Sequence, residues 1–273
     1  MRRIMACISF CLLGLAATIT VLAGPASAAV PGLQIVSATS ATNSISPKRA
    51  LATCPAGKVV VGTGAELTGG LGDVVIDDLV PMATTVRAVA YENGNSPRNW
   101  NVRAYAICAN PLPGLQIVTA TSLFNSNNKS VTATCPAGKN TIGTGAELTG
   151  ARGDVVIDFL RPTATTVIAG GTEIGNSPRN WNVRAYAICA NPLPGLEIVT
   201  KGSAINSDNK FATAICPAGK VVTGAGAEIG GAVNGVVIDD LRPTATTVTA
   251  TAFEHGNVAP NWFILAYAIC ATR

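Results

Sequence analysis

The chain has 273 residues, of which 48% are hydrophobic and only 12% charged, with 8 cysteines and a single histidine. Its 19 Lys and Arg against 15 Asp and Glu give a formal net charge of +4, and the basic residues are scattered, whereas binding to nucleic acid or an anionic membrane needs a concentrated basic face. With no C-x-x-C pair and one histidine the chain lacks the ligand pattern of a zinc site, and a histidine-dependent triad cannot repeat along it.

Residues 1–28 read as a signal peptide. Arg2 and Arg3 form a positive start, an uncharged apolar run extends from Ile4 to Leu22, and Ala26 and Ala28 supply the small-residue cleavage pair. The mature chain then begins near Ala29, and without Arg2 and Arg3 its 17 basic residues face 15 acidic ones, a net charge of +2. No later apolar run is long enough to span a bilayer, so no membrane association is expected after the signal is removed.

The mature chain is one unit written three times. "CPAGK" begins at Cys54, Cys135 and Cys216, and "AYAIC" ends at Cys108, Cys189 and Cys270, each series stepping by 81 residues. The copies are 29–110, 111–191 and 192–273, joined by the stiff connector "NPLPG" at Asn110 and Asn191. Two of the cysteines lie in the signal, leaving two per copy. In a secreted protein an even count indicates disulfides. Of the fifteen pairings open to six cysteines, the repetition selects Cys54–Cys108, Cys135–Cys189 and Cys216–Cys270.

Each copy reads as short strands punctuated by turns. In copy one they are Leu33–Ala38, Arg49–Cys54, Val59–Leu67, Asp73–Leu79, Thr84–Glu92 and Trp100–Ala109. In "WNVRAYAIC" the alternation puts Trp100, Val102, Ala104, Ala106 and Cys108 on one face. In the preceding strand Val86, Ala88 and Ala90 recur as Val167, Ala169, Gly171 and as Val248, Ala250, Ala252, all small or apolar. The opposite face, starting with Arg87, Val89 and Tyr91, changes freely and is assigned to solvent. The fold class is therefore all-β: three tandem antiparallel units of about 80 residues, each with an internal disulfide. A pseudo-threefold β-prism is the alternative.

The residues "CPAGKVVVGTGAEL", then "VVIDDLVP", then "WNVRAYAICA" resemble a cysteine-framed unit of secreted actinobacterial proteins, a group without an established activity. The resemblance covers all three copies and implies that each is a domain. A fainter likeness links the same residues to the vitelline membrane outer layer proteins, which share Cys-Pro-x-Gly, a glycine-bearing strand and an aspartate-containing strand. That likeness implies a three-sheet prism, although the repeats here are longer and the cysteines differently spaced.

Few residues invite chemistry. His255 is replaced by Asn93 and Ile174 in the other copies, which marks it as a loop residue. Glu66, Asp77 and Glu92 recur as Glu147, Asp158, Glu173 and as Glu228, Asp239, Glu254. Paired carboxylates can hydrolyse glycosides, but three identical active sites on one chain are unusual. The structural reading has Asp77 and its equivalents Asp158 and Asp239 bonding backbone amides and Glu66 pairing with a neighbouring Lys or Arg. "GTGAE" (Gly62–Glu66) lacks the third glycine and the helix of a dinucleotide loop, so its glycines are assigned to close packing or a bulge. "RGD" at Arg152–Asp154 becomes "LGD" and "NGV" in the other copies and is read as chance.

The one ligand-like cluster is the loop before the last strand. It comprises Glu92, Asn95, Asn99 and Trp100, then Glu173, Asn176, Asn180 and Trp181, then Glu254, Asn257, Asn261 and Trp262. A carboxylate and amides beside an aromatic ring could hold a sugar. Ordinary turn chemistry with the tryptophan in the core is the stronger reading. The sequence thus points to a secreted, extracellular, non-catalytic structural or interaction protein. Its alternative is a trivalent carbohydrate- or cell-wall-binding, lectin-like protein, with a glycan or cell-wall polymer as partner. No catalytic residue, cofactor or metal site is expected, and nothing in the sequence sets the oligomeric state.

Overall fold

The computed structural model describes residues 30–175, 177–231 and 234–273. The expected signal peptide, 1–28, lies outside the described residues. Copy one forms β1 (Gln34–Thr39), β2 (Lys48–Thr53), β3 (Val59–Thr68), β4 (Val74–Pro81), β5 (Thr85–Glu92) and β6 (Asn101–Ala109). Copy two forms β7 (Gln116–Thr121), β8 (Lys129–Thr134), β9 (Asn140–Thr149), β10 (Val155–Pro162), β11 (Thr166–Glu173) and β12 (Asn182–Ala190). Copy three forms β13 (Glu197–Gly202), β14 (Lys210–Ile215), β15 (Lys220–Gly230), β16 (Val236–Pro243), β17 (Thr247–Glu254) and β18 (Phe263–Thr272). Each strand expected in copy one is present, its ends displaced by at most two residues. Among the described residues there is no helix.

The strands form three six-stranded antiparallel sheets, and no sheet belongs to one copy. Their orders are β1-β6-β3-β16-β17-β14, β2-β5-β4-β9-β12-β7 and β13-β18-β15-β10-β11-β8. Three strands of one copy always continue into three strands of another. Within copy one, β2 packs across β1 and β6, and β3 across β4. The copy is thus a sandwich whose two half-sheets run on into its two neighbours. The expected all-β class with antiparallel sheets is present, and each sheet is shared by two copies.

The disulfides stay local. Cys54–Cys108, Cys135–Cys189 and Cys216–Cys270 each join the residue following one strand to the last strand of the same copy, with Cα atoms 5.7 Å apart. That separation suits an unforced bridge. Three such bridges suit an oxidising environment.

Neighbouring copies meet at three seams, each only two residue pairs long. Asp78 and Leu79 of β4 face Glu147 and Ala146 of β9. Phe159 and Leu160 of β10 face Glu228 and Ala227 of β15. Asp240 and Leu241 of β16 face Glu66 and Ala65 of β3. On the inner side, Ile76, Ile157 and Ile238 with Leu79, Leu160 and Leu241 converge from all three copies around an apolar cavity of about 20 Å³. Its lining offers a water no polar partner, so it stays dry.

The central strands β3, β9 and β15 touch through their backbones. A Cβ on Gly62 would lie 2.0 Å from Thr223 O, one on Gly143 2.1 Å from Val61 O, and one on Gly224 2.6 Å from Ile142 O. Glycine is required because another backbone occupies the side-chain space. Each site sits beside a bulge, such as the register shift between Val60 and Gly62. Thr63 Oγ1 then donates to Thr144 O at 2.7 Å, and Thr144 Oγ1 donates to Ala225 O. Gly143→Ala should therefore destabilise by roughly 1–3 kcal/mol through overpacking, measured by urea unfolding. Gly202→Ala should be nearly silent, since its added Cβ meets only Leu265 Cδ2, at 3.1 Å.

Candidate functional site

The tryptophan loops are built the same way three times. The last strand of each copy starts beside its tryptophan, which pairs as an isolated bridge with an asparagine: Asn43 with Trp100, Asn125 with Trp181, Asn206 with Trp262. Alternation turns the ring onto the cysteine face, and all three tryptophans are 0% exposed. Burial leaves the indole N–H in need of an acceptor. Glu92 Oε1 accepts it at 2.7 Å, Glu173 Oε1 at 3.0 Å and Glu254 Oε1 at 2.8 Å. The carboxylate singled out in each loop is thus bound to the tryptophan singled out beside it.

A third partner closes each set. Lys48, Lys129 and Lys210 place Nζ 4.3, 3.6 and 3.7 Å from the centroid of the ring in their own copy, a cation–π arrangement. The same ammonium groups donate to backbone carbonyls: Lys48 to Asn43 O at 2.9 Å, Lys129 to Trp181 O at 2.9 Å, Lys210 to Asn206 O at 2.6 Å. Burial pushes all three lysines below the ordinary range; Glu92 pulls Lys48 back, Glu173 pulls Lys129 back, and Asp208 and then Glu254 pull Lys210 back. Sequence reasoning missed these lysines. Their signal was present, since a Lys recurs at the 81-residue step as the first residue of each second strand.

The other residues of the loops take different places. Asn95, Asn99, Asn180, Asn257 and Asn261 are exposed; Asn176 lies outside the described residues. The amides therefore reach solvent while the rings do not. A fully covered ring offers no face for a sugar to stack on.

The recurring carboxylates gather at the seams, a juxtaposition invisible within one copy. At β4:β9, Arg87 Nη2 lies 3.0 Å from Asp78 Oδ2 and 2.9 Å from Glu147 Oε1, so copy one clamps copy two. Glu147 Oε2 also takes Arg184 at 3.1 Å and the Tyr186 hydroxyl at 2.6 Å. At β16:β3, Glu66 is held by Arg103 at 3.2 Å and by the Tyr105 hydroxyl. At β10:β15, Glu228 takes Arg161 at 3.2 Å and the Tyr267 hydroxyl at 2.5 Å. Burial and the bond to Glu147 push the Tyr186 phenol up to about 12. Glu66 thus pairs with arginine as the sequence suggests. Of the residues expected to bond backbone amides, Asp158 does so, accepting from its own N–H and that of Phe159, and Asp77 does not. It occupies the bulge between Ile76 and Asp78, and its Oδ1 has no partner.

His255 Nδ1 lies 3.1 Å from Gly72 O, so the third copy's loop docks on the first copy's turn. In "RGD", Asp154 is taken by Arg179 at 3.0 Å and by Ser177 at 3.2 Å. Among the described residues, no group of three or more His, Cys, Asp or Glu side chains is arranged to hold a metal ion. No protein-family model matches this chain, and no curated protein matches its sequence.

Proposed function

We propose that this is a secreted, extracellular scaffold: a rigid three-copy protein without catalysis, serving a structural or interaction role at the cell exterior. The observation that carries the reading is the closure of the three Trp–Glu–Lys sets. The groups best suited to bind or react are spent on one another inside the fold, with each ring 0% exposed. The seam glutamates are likewise engaged, each with a tyrosine of its own copy and with an arginine reaching over from the neighbouring copy. Signal-like residues at the start of the chain and one disulfide per copy support passage through an oxidising export route.

The reading is tested with the protein recovered from culture medium. Its amino terminus should lie near Ala29, and it should neither cleave nor saturably bind a panel of glycans and purified cell-wall polymers. Chemical crosslinking on intact cells should instead capture it against protein. Saturable glycan binding lost stepwise in Asn99→Ala, Asn180→Ala and Asn261→Ala would replace the scaffold reading with the lectin-like one.

A further inference from the structure

Every seam buries an aspartate on its bulged strand. Asp77, Asp158 and Asp239 are 5, 5 and 4% exposed, and in all three Oδ1 lacks a hydrogen-bond partner. A buried carboxylate with an unpaired oxygen is costly, whereas a neutral acid in that place needs one acceptor for its proton. Two seams supply that acceptor as the next residue, Asp78 beside Asp77 and Asp240 beside Asp239. The third has Phe159 there, and Thr172 Oγ1 instead donates to Asp158 Oδ2 at 2.7 Å.

Charge balance leads to the same place. Asp77 is faced by Asp78 on its own strand, by Arg87 and Tyr91 on β5, and by Glu147 on β9. Arg184 and Tyr186 of β12 stand behind Glu147, and Arg49 and Arg152 lie near Tyr91. Asp239 is faced by Asp240 and by Glu66 of β3, which is held in turn by Arg103 and Tyr105 of β6 and approached by Arg242 at 3.9 Å. Thr251 of β17 bonds Asp240. In each of these two seams three carboxylates meet two guanidinium groups, with ion-pair distances of 3.9 Å or less, and one bound proton makes that set neutral.

We propose that the β4:β9 and β16:β3 seams are proton-locked joints, in which Asp77 and Asp239 stay neutral acids hydrogen-bonded to Asp78 and Asp240, and loss of that proton loosens the pairing between copies. The inference is independent of the scaffold reading. Burial first, then the neighbouring aspartate, raises Asp77 well above the ordinary carboxyl range and Asp239 to about 8. Burial raises Asp78 to about 6. Because these groups bind protons more tightly folded than unfolded, their stabilisation is complete below about pH 4 and is lost as pH rises through the folded value of each, about 6 for Asp78 and about 8 for Asp239.

Hydrogen–deuterium exchange at pH 5, 7 and 9, corrected for the intrinsic base-catalysed rate, tests the joint. Protection of β4, β9, β3 and β16 should fall by about tenfold or more from pH 5 to 9, and that of β10 and β15 by less. Asp77→Asn should abolish the pH dependence of β4 and β9 alone, and Asp239→Asn that of β3 and β16 alone. Protection independent of pH in the wild type, or asparagine variants with wild-type pH dependence, would overturn the proposal. Should the variants not fold, infrared spectra of the wild type decide: a protonated-carboxyl stretch must persist at pH 7 and weaken by pH 9, and its absence at pH 7 rejects the lock.

Discussion

Trp181→Ala should lower the free energy of unfolding by about 3–5 kcal/mol, with Trp100→Ala and Trp262→Ala close behind. Removing the indole opens a void in a dry core. It also strips Glu173 of its donor at a site 8% exposed and leaves Lys129 without its ring. Copy two should suffer most. There Gly171 stands where the other copies have Ala90 and Ala252, and a Cβ at Gly171 would come within 2.8 Å of the Trp181 ring. With neither ring nor methyl present, that void has the least to collapse onto it. Trp181→Phe separates the two contributions. It keeps most of the apolar bulk and should lose about 1–3 kcal/mol, chiefly for the unpaired buried carboxylate. Denaturant unfolding of the set, followed by circular dichroism, checks the order wild type, then Phe, then Ala. Equal losses for Phe and Ala would show that the hydrogen bond, rather than the packing, carries the site.

Removing one disulfide should cost as much by a different route. The double variant Cys135→Ala with Cys189→Ala should be less stable by about 4 kcal/mol, because a bridge across this length of chain restrains the unfolded state. The cysteines are 54 positions apart in all three copies, so the three double variants should lose similar amounts. Cys108, Cys189 and Cys270 are 0% exposed. The native protein should accordingly resist reductant until denaturant is added, and unfolding midpoints with and without reductant should diverge only after prior denaturation. Ready reduction of the native protein would mean that the lobes breathe far more than their packing implies.

How much of the molecule was legible beforehand depends on the range of the contact. Strand positions were readable because alternation and turn residues are local signals, and three copies of each strand show which face tolerates change. Val86, Ala88 and Ala90 are all 0% exposed, on the face assigned to the core. The bridges were readable because repetition reduced the pairings to one. The seams were not. Asp78 against Glu147 joins one half of copy one to the opposite half of copy two, and in a tandem repeat a contact to the next copy looks the same in sequence as one within a copy. The solvent assignment of the second face failed locally for that reason. Val89 is 7% exposed and Arg87 half-buried, because that face carries the seam network. Gly170 is covered by Phe159, whose ring would lie 2.2 Å from an added Cβ, a paired change confined to copy two. The Trp–Glu–Lys sets were half legible: Glu and Trp stood out as a pair, but as a ligand loop, and the lysine went unnoticed because it precedes them by more than 40 residues.

Collisional quenching of tryptophan emission is the most direct test of the claim that these sets are sealed inside the fold. The native protein should show blue-shifted emission that acrylamide and iodide barely quench, and neither glycans nor cell-wall fragments should change it. Quenching close to that of free tryptophan, or a spectral shift on adding a glycan, would contradict the account.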